Sequence, residues 1–170
     1  MKSKIIIVGN GGSLAGSEQA EFIDNYDVVV RINNWVANKD VGYRCCLHYS
    51  TKQFTEGMRA DFHINRGQDH IPHWCSGSTG VGLWRIMSSW IKSMYSNFTP
   101  SSGLLVIAHA MQDHCPIDII GFDGLVYKAK LHYWNDEVYD GSSHYQYAES
   151  DVMSAWEESN LVRRVGKDTQ

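Results

Sequence analysis

No run of basic residues interrupts this chain, and no long apolar segment opens it. Lys and Arg total 15 against 19 Asp and Glu, giving a formal net charge of -4. The sequence therefore lacks the footprint of a broad nucleic-acid surface, although a small anion held locally is compatible with it. Before Gly9 the apolar stretch is only Ile5-Ile6-Ile7-Val8, far short of a signal-peptide core or a membrane span. The expectation is a cytoplasmic chain with no integral membrane segment, unless a targeting segment has been cut away. Internal repeats and low-complexity segments are missing too. With 170 residues and 43% hydrophobic content, the chain can bury one core, read here as a single domain over 1–165 with a flexible tail at 166–170.

Cysteine is sparse: Cys45, Cys46, Cys75 and Cys115, expected to be reduced in a cytosolic chain. On a strand, Cys45 and Cys46 would face opposite sides, so at most one meets a partner. The densest metal-like cluster is HIPHWC, His70 to Cys75, but it lacks a clear fourth ligand and ordinary structural spacing accounts for it. No metal site is expected.

What is present alternates. Ile5 to Val8 is a β-branched run bounded by glycine, the pattern of a strand buried on both faces. A helix capped by Ser13 follows, with Leu14, Ala20, Phe22 and Ile23 sharing one apolar side, and Asp27 to Ile32 is the next buried strand. Strand, helix and strand make a βαβ unit with parallel strands. Tyr43 to Tyr49 and Asp61 to Ile64 predict two further strands, and Val81 to Phe98 an amphipathic helix. Pro100 introduces a helix over Ser102 to His114, Ile117 to Ile120 reads as a strand, and Tyr145 to Leu161 as a last helix with Val152, Ala155 and Trp156 inward. The fold class is α/β: a Rossmann-like α/β/α sandwich with a mostly parallel sheet. Loops Gly9 to Ser13, Asn33 to Trp35 and Gly121 to Gly124 then fall at the carboxyl ends of strands, where such sheets bind ligands.

The first of these loops, VGNGGSLAG, fits neither common phosphate motif. From Gly9 and Gly11 the dinucleotide fingerprint needs a glycine at position 14, which is Leu14. Gly11 and Gly16 have the Walker A spacing, but Ser17 and Glu18 stand where the lysine and hydroxyl belong. What remains is a strand ending in glycines before a helix start, whose free N–H groups favour an anion, or a tight turn with no ligand.

Taken together, distant segments resemble one family, the sialyltransferases of glycosyltransferase family 29. IIIVGNGGSLAGSEQAEFIDNYDVVVRIN, continuing to Asp40-Val41-Gly42, is similar to that family's large motif. PSSGLLVIAHAMQDHCPIDIIGFDG, Pro100 to Gly124, resembles the small motif. HYWN, His132 to Asn135, resembles the third, and His144 with Glu149 gives the H-x-x-x-x-E of the very small motif. The resemblance implies a GT-A-like variant of the sandwich and inverting transfer of sialic acid, or a related keto sugar such as Kdo, from a CMP-activated donor to a glycan hydroxyl, with no metal or other cofactor required. The acceptor would be a glycan or a lipid-linked saccharide.

Residue by residue, the resemblance implies that Asn10, Gly11 and Asn33 contact CMP; either asparagine alone reads as a turn residue. Ser102 and Gly103 would turn helix N–H groups toward the nucleotide, a role compatible with simple capping. Gly121 and Phe122 would let the cytidine lie close to the backbone. His144 is the expected general base, because a neutral imidazole can take the acceptor proton near neutrality. His132 is expected to donate to the departing phosphate, and Glu149 to hold a structural hydrogen bond at a helix start. Tyr133 and Trp134 read as an aromatic wall or as packing. A second Ser-Thr-Gly, Ser78 to Gly80, is more simply a cap for the Val81 helix.

The departures point to a compact bacterial or viral type. Animal members carry a disulfide between a cysteine just before V-G-N and one in the small motif. Here Ile5-Ile6-Ile7 leaves Cys115 without that partner, and the Golgi anchor is not seen. Lys52 to Trp74 and Lys128 to Ser143 are where acceptor specificity would lie. A CMP-sugar or glycan-binding module without turnover is the alternative from another class.

Overall fold

Ile5–Val8 has no polar face, and in the computed structural model it forms the central strand β1, buried on both sides. The structure describes residues 3–50, 62–65, 89, 93, 100–123, 130–138 and 146–166. The other strands are β2 (Val28–Ile32), β3 (Leu47–Ser50), β4 (Phe62–Asn65), β5 (Ile117–Ile120) and β6 (Val162–Arg164). Their order is β4-β3-β2-β1-β5-β6, and every pairing is parallel. The chain winds outward from β1 to β4, then returns to the opposite side of β1. That reversal sets a topological switch point between β1 and β5, where loops diverge and leave a crevice.

Alternation along the strands separates two cores. Ile5, Ile7, Val30, Ile32, Leu47, Tyr49, Ile117 and Ile119 face one layer. It is built from the helix Ser102–Ala110 and the helix Gln146–Glu158, called α2 and α3 after the short α1, Ala20–Asp24. Val152, Met153 and Trp156 of α3 point into it, Trp156 being only 1% exposed. On the other face Ile6, Val8, Val29 and Ile120 pack against Leu14, Ile23, Tyr26, Val41 and Tyr133.

The structure corrects several boundaries. The helix expected from Ser13 is instead a 3-10 turn at Gly12–Leu14, with α1 starting only at Ala20. Between them Gly16 and Glu18 have φ of 75° and 51°, conformations no helix contains. The Asp40 carboxylate holds them there, accepting the Gly16 and Glu18 N–H groups at 2.9 and 3.2 Å. The third strand begins at Leu47 because the amides of Tyr43 and Arg44 are taken by the Asp24 carboxylate, at 2.9 and 3.1 Å. The small-motif helix ends at Ala110, short of His114. β6 was not expected: Asn160, at φ 53°, turns the chain out of α3 into a three-residue strand carrying Arg163 and Arg164, too short and charged for an apolar pattern.

The Val81 helix lies outside the described residues except for Ser89 and Ser93, both helical. HIPHWC and Ser78 to Gly80 also lie outside them. Cys46 and Cys115 are free thiols. Among the described residues no helix is long and apolar enough to cross a membrane.

One buried histidine makes the fold acid-sensitive. His109 on α2 is 5% exposed, and its Nδ1 lies 2.9 Å from the Tyr49 hydroxyl on β3. Burial lowers its pKa to about 4, only partly opposed by Asp113. Between that value and the ordinary 6.5 of the unfolded chain, the unfolded state binds more protons, so stability falls as pH drops through the window. The loss reaches about 3 kcal/mol for a shift of this size. In urea unfolding at pH 7 and pH 4, His109→Gln should show a distinctly smaller loss than wild type. Equal losses would show that His109 does not carry the dependence.

Candidate functional site

Three strand ends meet at the switch point. The Gly9 N–H donates to the Ile120 carbonyl at 2.8 Å and the Gly11 N–H to the Gly121 carbonyl at 2.9 Å. A Cβ on Gly9 would overlap the Gly121 carbonyl. A Cβ on Gly121, whose φ is +72°, would run into Leu14 and come within 3.1 Å of the Gly9 carbonyl oxygen. The missing side chain at Gly121 thus makes room for Leu14 and the β1 backbone, a use the sequence did not reveal.

Asn10 joins β1 to β2. Its Nδ2 donates to the Ile32 carbonyl at 2.8 Å and to the Asn34 carbonyl at 2.9 Å, which uses both amide hydrogens and leaves Oδ1 as the group able to meet a ligand. Asn33, at φ 51°, ends β2. Its N–H donates to the Tyr49 carbonyl, and its carbonyl meets His48 Nε2, both at 2.6 Å.

Behind this edge Arg31, 1% exposed, binds the Val41 carbonyl through Nη2 at 2.6 Å and the Arg44 carbonyl through Nε at 3.0 Å. Its guanidinium lies 4.7 Å over the Trp35 ring, a cation–π contact. Burial lowers its pKa. Arg31 stitches the 33–46 excursion onto the sheet.

The cap of α2 is Ser101, one residue before the expected start: its Oγ accepts the Leu104 N–H at 3.3 Å. The Ser101 N–H itself donates to the Glu149 carboxylate. Glu149, in the first turn of α3, therefore fixes the start of α2, the structural hydrogen bond expected of it. Ser102 and Gly103 supply the first amides of α2, groups that no helix can satisfy internally. A Cβ on Gly103 would sit 2.8 Å from the Phe122 ring, so that ring closes over the helix start and links it to the end of β5.

The segment 131–135 packs beside the turn that follows β1. The Tyr133 N–H donates to the Asn10 carbonyl at 3.2 Å. Its hydroxyl donates to the Val36 carbonyl at 2.6 Å and accepts the Val36 N–H at 2.7 Å. Tyr133 is 5% exposed, so packing is its role. Trp134 stacks on His132, centroids 4.5 Å apart and 7° from parallel. His132 Nδ1 is buried without a hydrogen-bond partner, as are Asn135 Oδ1, Trp35 Nε1 and Arg31 Nη1. Burial lowers the His132 pKa, against the opposing effects of a hydrogen bond to the Asn10 backbone and the charge of Glu137.

Of the expected site residues, Asn10, Gly11, Asn33, Ser102, Gly103, Gly121, Phe122 and His132 are connected through these contacts. His144 lies outside the described residues. Among the described residues no three His, Cys, Asp or Glu side chains gather to hold a metal ion. Sequence reasoning missed Arg31 and Asp123, although each stands inside a quoted motif.

A parallel sheet with its loops gathered at the β1–β5 switch point defines a Rossmann-like α/β architecture. Residues 3–70 match the model of Glycosyltransferase family 29 (sialyltransferase). No curated protein matches it by sequence. Solved structures share the fold. A mammalian sialyltransferase in complex with Gal-beta-1-3GalNAc-ortho-nitrophenol aligns over 96% of this chain and 69% of its own, with 20% identity and TM-score 0.66. A further structure of a mammalian sialyltransferase aligns over the same shares, with 18% identity and TM-score 0.68. A variant of the sialyltransferase CST-II in complex with CMP covers 96% and 80%, with 12% identity and TM-score 0.56.

Proposed function

We propose that this protein transfers sialic acid, or a related keto sugar such as Kdo, from its CMP-activated form to a glycan hydroxyl, with inversion at the anomeric carbon. The observation that carries the reading is the chain of contacts at the β1–β5 switch point, which ties Asn10 to the end of β2, the Gly103 helix start to Phe122, and His132 to the Asn10 backbone. The family match and the CMP and disaccharide complexes of the structural neighbours support it. The α2 amides suit the donor's negative charge, Asn10 Oδ1 can accept from a ribose or base donor, and His132 can donate to the departing phosphate. His144 is proposed as the base that takes the acceptor proton.

The test incubates the protein with CMP-sialic acid or CMP-Kdo, with and without galactose-terminated glycans, and measures CMP release and glycan mass. Acceptor-dependent release, a mass gain of one sugar and loss of both in His144→Ala are expected. Binding of CMP without turnover would instead identify a donor-binding module, and absence of CMP binding would overturn the donor assignment altogether.

A further inference from the structure

The glycine-rich turn after β1 already holds an anion, and that anion belongs to the protein. Asp123, just beyond β5, accepts the Ser13 N–H on Oδ2 at 2.8 Å and the Ser13 hydroxyl on Oδ1. Its carboxylate lies against Gly11 so closely that a Cβ there would overlap it. Gly11, the residue capping the 3-10 turn, makes no side-chain cap of its own, so Asp123 supplies from across the switch point what Gly11 cannot. The remaining ties are backbone ones, Gly9 to Ile120 and Gly11 to Gly121. The two loops that face each other across the crevice are thus locked by one carboxylate.

We propose that Asp123 is a positioning residue for the donor: it latches the glycine turn to the β5 loop and so holds Asn10 at the switch point. The inference rests on the donor-binding reading above, but the latch itself can be tested without turnover.

Asp123→Ala should raise the donor KM about tenfold with kcat changed less than threefold. Asp123→Asn, which can still accept from the Ser13 amide, should restore KM to within about threefold of wild type. Formate fits the space the truncation leaves. It should therefore lower the donor KM of Asp123→Ala and raise its Tm by a few degrees, with neither effect on wild type. Ser13→Ala should shift KM in the same direction, and the double variant should be no worse than Asp123→Ala alone; this pair serves if the truncation fails to fold.

A donor KM in Asp123→Ala equal to or below that of wild type would overturn the proposal, because the carboxylate would then be idle or merely repulsive. So would equal formate effects on Tm in both proteins. If wild type binds no CMP while formate selectively stabilises Asp123→Ala, the donor reading fails and the latch survives as structure only.

Discussion

On the proposed transfer reaction, replacing His132 by alanine should lower kcat about 100-fold, the low end of what a positioned proton donor contributes, with the fold retained. The half-buried ring stacks on Trp134, and its Nδ1 has no hydrogen-bond partner. Burial lowers its pKa, so the free protein carries a neutral imidazole at neutral pH. A phosphate oxygen at Nδ1 would give a proton there an acceptor and raise the pKa again. The liganded protein then binds more protons than the free protein, between the lowered pKa and the raised one. CMP affinity should therefore increase as pH falls through that window, by at most about tenfold per pH unit for one proton. The comparison is wild type against His132→Ala from pH 7.5 to 6, so that the titration of CMP itself cancels. An unchanged kcat, or identical pH slopes for the two proteins, would remove His132 from the chemistry.

The same histidine shows what a sequence can disclose. The HYWN segment could be placed by resemblance, and the buried strands by their runs of Ile and Val, because both signals are contiguous in the chain. The motifs also fell at adjacent strand ends, since a parallel sheet has few ways to order β1, β2 and β5. Hidden were the interactions made across long separations by polar side chains. Asp40 broke the first helix by holding Gly16 and Glu18, and Asp24 delayed β3 by taking two amides. Asn10 spent both of its amide hydrogens on backbone carbonyls, so its polar character pointed to the crevice without revealing that the side chain also builds it. Asp123 had a local sign, an acid directly after the Gly-Phe strand end. Its partner Ser13 lies 110 residues away, and no spacing rule connects them.

Glycine at 121 is where fold and site share one requirement, and Gly121→Ala should cost about 2–5 kcal/mol. Two effects add. An alanine in the left-handed region costs roughly 1–2 kcal/mol, since φ there is +72°. The new methyl must also displace the buried Leu14 side chain and press on the Gly9 carbonyl, and overpacking of this kind costs about 1–3 kcal/mol. Gly16→Ala separates the two. Its φ is +75°, yet nothing lies within 4 Å of an added Cβ, so it should carry only the backbone cost. In urea both variants should lower the unfolding midpoint without changing the slope, with Gly121→Ala the less stable by the overpacking cost of about 1–3 kcal/mol. If the two variants were equally stable, the Gly121–Leu14–Gly9 contact would not hold the loops as tightly as its geometry requires. Because the Gly121 carbonyl also accepts the Gly11 N–H, a folded Gly121→Ala should weaken CMP binding as well. Gly16→Ala, outside that backbone pairing, should leave CMP binding unchanged.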